Sequence, residues 1–121
     1  MKEPLRVYVA GAYTPHNCSL HDASRIVQKN VDDAIKIGNK LMAKGHYVFI
    51  PHLSHYLHIH ESCTVEDASW WYDLDNSFLD CWATALYYVG SSKGADAERD
   101  RAKKLGLTIF YSLSEVPDVI K

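Results

Sequence analysis

The stretch Gly90-Ser91-Ser92-Lys93-Gly94-Ala95-Asp96-Ala97-Glu98 decides how the chain is read. It follows the most apolar run, Ala83-Thr84-Ala85-Leu86-Tyr87-Tyr88-Val89, and opens a helical pattern that ends before Gly106. An apolar strand, a turn of small residues and a helix start leave backbone N–H groups pointing outward, an arrangement that suits an anion. On that helix Ala95, Glu98, Ala102 and Leu105 share one face, while Arg99, Asp100, Lys103 and Lys104 point away. A carboxylate on the core-facing stripe is costly unless it is paired or used. Glu98 is therefore either a residue at the rim of the core that meets a cation, or a functional acid.

Working outward, the pattern alternates strands and helices. Leu5–Ala10 reads as a first strand, ended by Gly11 and the loop Gly11-Ala12-Tyr13-Thr14-Pro15-His16-Asn17. A helix starts near Asp22 or Ser24 and carries the stripe Val27, Val31, Ala34, Ile35, Gly38, Leu41 and Met42, with Gly45 as its stop. Tyr47–Ile50 is a short strand closed by Pro51. Glu66 to Cys81 reads as a helix with Trp70, Trp71, Leu74, Phe78 and Cys81 on its apolar face and Asp73 at the edge. Ala83–Val89 is apolar enough for a central strand covered on both faces, Leu107–Tyr111 is the last clear strand, and Ser114–Ile120 makes at most one helical turn. The order predicts an α/β fold: a single-domain, Rossmann-like (flavodoxin-like) three-layer sandwich over residues 1–121, with a four- to five-stranded, mainly parallel sheet.

Bulk composition narrows the function classes. A chain of 121 residues makes one domain with a real core. The formal charge of −2 gives no electrostatic case for polymeric nucleic acid or an anionic membrane. No apolar run approaches a membrane span and the N-terminus is no signal peptide, so a cytoplasmic protein is expected. Cys18, Cys63 and Cys81 form no paired motif and are expected to be free thiols. The segment Pro51–His60 holds His52, His55, His58 and His60 beside Cys63 but matches no recognised zinc spacing. It reads first as a loop lining a pocket and only second as a metal site, so neither metal nor cofactor is expected.

In parallel sheets ligands bind beyond the carboxyl ends of the strands, at the switch point. The Gly11–Tyr13 loop, the loop after Ile50 and the Ser91–Glu98 turn all fall on that edge, and Asp73 is placed to reach it. Paired carboxylates beside a hydroxyl-rich cradle and aromatic surface suit cleavage of a glycosidic bond: one acid attacks or stabilises a cation-like carbon and the other protonates the leaving group.

These residues resemble the nucleoside 2-deoxyribosyltransferase-like superfamily, which includes nucleoside deoxyribosyltransferases and nucleoside 5′-monophosphate N-glycosidases, and within it a small bacterial and phage branch. The segments that carry the likeness are Val7–Thr14, Gly45–His52, Trp71–Leu74, Asp80-Cys81-Trp82-Ala83 and, most specific, the Ser-x-Gly-x-x-x-Glu of Ser92–Glu98. Trp82 stands where the family usually has an aspartate. The resemblance implies cleavage or transfer at the N-glycosidic bond of a nucleoside or nucleoside 5′-monophosphate through a glycosyl-enzyme on Glu98. Asp73 would orient or protonate the leaving base and Tyr13 would position the nucleophile or sugar. Gly11, Ala12, Ser91, Ser92, Gly94 and His52 would bind substrate or phosphate. Ser92, in place of an aspartate six residues before the glutamate, favours a nucleotide over a free nucleoside; its other reading is an ordinary helix cap. A homo-oligomer, dimer or tetramer, with a neighbouring subunit closing the site, is also implied. A non-catalytic nucleotide-binding or sensing module is the alternative, since the same cradle serves both.

Overall fold

In the computed structural model, which describes residues 3–13 and 20–119, four strands and the helices between them follow the predicted order. Strand β1 is Arg6–Ala10, helix α1 Leu20–Ala43 and β2 Tyr47–Phe49. After a single 3-10 turn at Pro51–Leu53 comes α2, Ser54–Ile59; then α3 is Ala68–Cys81, β3 Ala85–Tyr88, α4 Lys93–Lys104 and β4 Thr108–Phe110. The sheet has the order β2-β1-β3-β4 and every pairing is parallel. It has four strands, the lower bound of the expectation.

Alternation along β1 explains its central place. Val7 and Val9 join the cluster with Ala34, Leu41, Ala85, Tyr87, Phe110 and Val116 on the α1 face. Tyr8 and Ala10 join Leu79, Leu86, Ala95 and Ala102 on the face covered by α3 and α4. Val7 to Ala10 have no exposed surface, so both faces of this part of the strand are covered by helices. Each fully buried Leu on these faces, such as Leu41, Leu79 and Leu86, contributes roughly 1.5–3 kcal/mol of burial.

The α1 stripe at Val31, Ala34, Gly38 and Leu41 is buried, at helical spacing, whereas Met42 at its end is half exposed. The helix begins at Leu20, ahead of the expected Asp22 or Ser24. Gly45 and Gly106, the expected stops after α1 and α4, sit at φ 99° and 78°, where a side chain would be strained. The His-rich segment is not the expected loop: it folds into the 3-10 turn and α2. The tail makes its turn at Leu113–Glu115, closed by a reciprocal Ser112–Glu115 cap. Cys63 and Cys81 are free thiols, and Cys18 lies outside the described residues. Among the described residues no helix is long and apolar enough to cross a membrane.

Buried His46 ties both ends of the chain to the entry of β2. Its Nδ1 accepts from the Leu5 N–H at 3.0 Å and its Nε2–H donates to the Pro117 carbonyl at 2.6 Å. His46→Leu leaves two polar backbone groups without that partner, and is expected to cost on the order of 2–3 kcal/mol. Urea melts of variant and wild type measure this; an unchanged midpoint removes the clasp as a stabilising feature.

Candidate functional site

Strand order reverses between β1 and β3, so the switch point lies beyond Ala10 and Tyr88, which pair in register. The even residues of β1 face α3 and α4. Tyr8 is therefore a wholly buried phenol between Val7 and Val9, and its hydroxyl needs a partner. That partner is Glu98: the Tyr8 hydroxyl donates to Glu98 Oε2. Ala95 and Ala102 pack α4 against the sheet one turn to either side, which draws Glu98 inward. Leu105, the last residue of the expected stripe, is half exposed.

Among the described residues no cation is paired with Glu98. Burial pushes its carboxyl up to about 7; the Tyr8 hydrogen bond pulls the other way and the charge of Asp75 pushes it further up. Asp75, on α3, is pushed up to about 7 by burial, and its Oδ1 is buried without a hydrogen-bond partner among the described residues. Burial first, then the two carboxylates, push the Tyr8 phenol far above its ordinary value, so it stays a donor at every working pH. The result is a phenol and two desolvated carboxyl groups that hold their protons near neutrality.

Asp73, the expected second acid, is exposed. Two residues along a helix turn a side chain about 200°, and the inward stripe of α3 runs through Asp75, Phe78, Leu79 and Trp82, with Trp70 and Cys81 exposed. The run of three aromatic residues before Asp73 misleads, because Trp70 and Tyr72 are themselves exposed. Trp71 is half-buried and donates from Nε1 to the Val65 carbonyl at 3.0 Å. Asp80 pairs with Arg101 at 2.6 and 2.5 Å on the outside of the helix pair. Trp82, at the position of the family's aspartate, packs edge-on against Phe49 and Phe78, which stack on each other at 4.0 Å.

The Gly11–Tyr13 loop is strapped down from behind. Buried His52 reaches under it, its Nε2–H shared between the Gly11 carbonyl at 3.2 Å and the Ala12 carbonyl at 3.1 Å. Burial lowers the His52 pKa, with those carbonyls opposing, and Nδ1 has no hydrogen-bond partner among the described residues. A Cβ on Gly11 would stand 3.1 Å from Val89 Cβ, so the close approach of the two strand ends favours glycine. Asn30 donates to the Tyr13 carbonyl at 3.2 Å, and the Tyr13 hydroxyl is 2.7 Å from His55 Nδ1. The hydrogen bond to Glu98 comes from Tyr8, and Tyr13 is joined to α2.

At the turn before α4, Ser92 is the helix cap: its Oγ accepts from the Ala95 N–H at 3.0 Å. Ser91 Oγ donates to Asp96 at 3.0 Å. A Cβ added at Gly90 or Gly94 would meet nothing within 4 Å, so open space lies over both. Among the described residues no group of three or more His, Cys, Asp or Glu is arranged to hold a metal; His58 lies against Trp71 and His60 bonds Ser62.

Tyr8 and Asp75 are thus the site residues not singled out from the sequence. Both carried a signal: a lone hydroxyl on an apolar strand, and an acid in phase with Phe78, Leu79 and Trp82.

No protein-family model matches the chain, and no curated protein is significantly similar to it in sequence. Among solved structures it matches one described as the 2-deoxyribosyltransferase of the psychrotolerant bacterium Bacillus psychrosaccharolyticus, with a TM-score of 0.58 at 18% identity over 86% of this chain and 69% of that one. At that identity the likeness establishes architecture: this chain has a nucleoside 2-deoxyribosyltransferase-like fold.

Proposed function

We propose that the protein breaks and remakes the N-glycosidic bond of a nucleoside-type substrate, with Glu98 as nucleophile. The observation that carries this reading is the Tyr8–Glu98–Asp75 cluster: a buried carboxylate held by one oxygen, with a second raised acid beside it, at the switch point of the sheet. The Tyr8 hydroxyl engages Oε2 and leaves Oε1 for attack.

In the first step ionised Glu98 Oε1 forms a bond to C1′, and the C1′–N bond breaks with its electron pair on the base. Protonated Asp75 gives its proton to the departing base. In the second step water or another base attacks C1′, its proton returns to Asp75, and the Glu98 carboxylate is released. Asp75 rather than Asp73 takes the acid's part because only Asp75 is in the desolvated cluster. A binder that turns nothing over needs neither raised acid, and gains nothing from the free-energy cost of burying them.

The test is to incubate the protein with 2′-deoxynucleosides, quench in acid and map the peptides by mass spectrometry. A deoxyribosyl adduct on the peptide bearing Glu98, with free base released, is expected. Bound nucleoside with no adduct and no free base would hand the site to the binding-module reading.

A further inference from the structure

We infer that His52 is a positioning residue: by donating one N–H to two successive carbonyls of the Gly11–Tyr13 loop, it turns the Ala12 and Tyr13 amide N–H groups into the switch point, where they receive an acceptor oxygen of the substrate. The inference rests on the reading of the switch point as a nucleoside site.

The strand that carries the loop places it there. Ala10 ends β1 opposite Tyr88, and its carbonyl accepts from the Val89 N–H at 2.7 Å. A Cβ on Gly11 would stand 3.1 Å from Val89 Cβ. Gly11 is three residues past Tyr8, the partner of Glu98, so the loop begins about 10 Å along the strand from it.

His52 reaches the loop from the 3-10 turn that follows β2. A carbonyl cannot donate, so the Nε2 shared by the Gly11 and Ala12 carbonyls carries the proton. Burial lowers the His52 pKa, so the ring is neutral at neutral pH and Nδ1 is the bare nitrogen. The loop peptides are trans, and in a trans peptide the N–H points opposite to the C=O. The Gly11 carbonyl, aimed at His52, therefore turns the Ala12 N–H away from it, and the Ala12 carbonyl does the same for the Tyr13 N–H. Strands β2 and β3 flank β1 on opposite sides. Groups turned away from a residue on the β2 flank face the β3 flank, where the switch point opens.

The loop presents these donors and little else. Asn30 holds the Tyr13 carbonyl at 3.2 Å, so side chains engage all three loop carbonyls. Among the described residues neither the Ala12 nor the Tyr13 N–H has a hydrogen-bond acceptor. Both residues are half-buried, and a backbone donor taken out of water requires an acceptor. Two adjacent N–H groups on one side of a loop suit a single oxygen with two lone pairs, as in a sugar hydroxyl or a base carbonyl. His52 is only 4% exposed and lies behind the loop, so it acts through the backbone and not on the substrate.

The experiment measures kcat and KM on a 2′-deoxynucleoside for wild type, His52→Gln and His52→Leu, at a temperature where circular dichroism shows each folded. Gln keeps an N–H donor for the two carbonyls and Leu does not. His52→Leu is expected to raise KM by about tenfold or more with kcat within about threefold, and His52→Gln to stay within about threefold of wild type in KM. A His52 that only stabilised the fold would lower the melting temperature of the Leu variant and leave both constants of the folded protein unmoved. That result, or a Gln variant as impaired in KM as the Leu variant, overturns the inference. NMR spectra of isotope-labelled wild type test it without turnover and decide if His52→Leu does not fold. His52 must be the Nε2–H tautomer at neutral pH, and the Ala12 and Tyr13 amide signals must move when the nucleoside is added. A proton on Nδ1, or amide signals that stay in place, overturns the inference. Amide signals that move while no base is released uphold it, and the glycosyl-transfer reading then fails on its own account.

Discussion

Glu98→Gln is expected to lose at least about 10³-fold in turnover, because an amide oxygen forms no ester with C1′, and yet to melt at a higher temperature than wild type above neutral pH. The second half follows from the cost of the site. Glu98 has its ordinary value in the unfolded chain and about 7 in the folded one, so the folded state binds the proton more tightly. Its contribution is fully present below the ordinary carboxylate range and is lost as pH rises through about 7. Gln never ionises and escapes that loss while still accepting from Tyr8. Near pH 8 the gain is of order 1–3 kcal/mol, and near pH 5 the two proteins should be nearly equal. Thermal melts at both pH values check it. A variant less stable than wild type at the higher pH would mean that the Glu98 charge is compensated in a way the cluster does not show.

Asp75→Asn is the second large effect. In the proposed mechanism turnover needs Glu98 ionised and Asp75 protonated, and burial has brought both to about 7. Around neutrality the pair holds one proton, and the pH dependence of kcat/KM is expected to be bell-shaped, with limbs that belong to the pair. Asp75→Asn should lower kcat by about 10²–10⁴-fold on ordinary nucleosides and remove the alkaline limb. The acid limb should move to lower pH, since the Asp75 charge helps raise Glu98. A nucleoside of an N7-methylated purine leaves without protonation and should be nearly spared. Equal losses on both substrates, with both limbs intact, would make Asp75 a packing residue.

Both variants touch groups that folding pays to bury. Tyr8 lies in the apolar cluster with Phe49, Phe78, Leu79 and Trp82, and Asp75 Oδ1 is buried with no hydrogen-bond partner among the described residues. A chain under no demand but stability would place a hydrocarbon there. The Asp96 carboxylate is of a different kind: it is bonded by Tyr88 and Ser91.

The sequence by itself determined the layers and the strand directions. Helical spacing at Val31, Ala34, Gly38 and Leu41, two-residue alternation in β1, and glycine stops at Gly45 and Gly106 are local facts of side-chain periodicity and backbone sterics. It also marked Glu98, since a lone acid among alanines on a helix face is visible in one dimension. Only the tertiary structure decided which partners Glu98 has. The phase of α3 is ambiguous where exposed and buried aromatic residues are adjacent, so its inward acid could not be read as Asp75 until Phe78 and Leu79 were docked on Phe49 and Tyr8. The turn at Ser91–Ser92 is likewise a phosphate cradle by composition. Its hydroxyls are committed by residues from β3 and α4 that sequence cannot bring together, because hydrogen bonding and desolvation depend on neighbours in space.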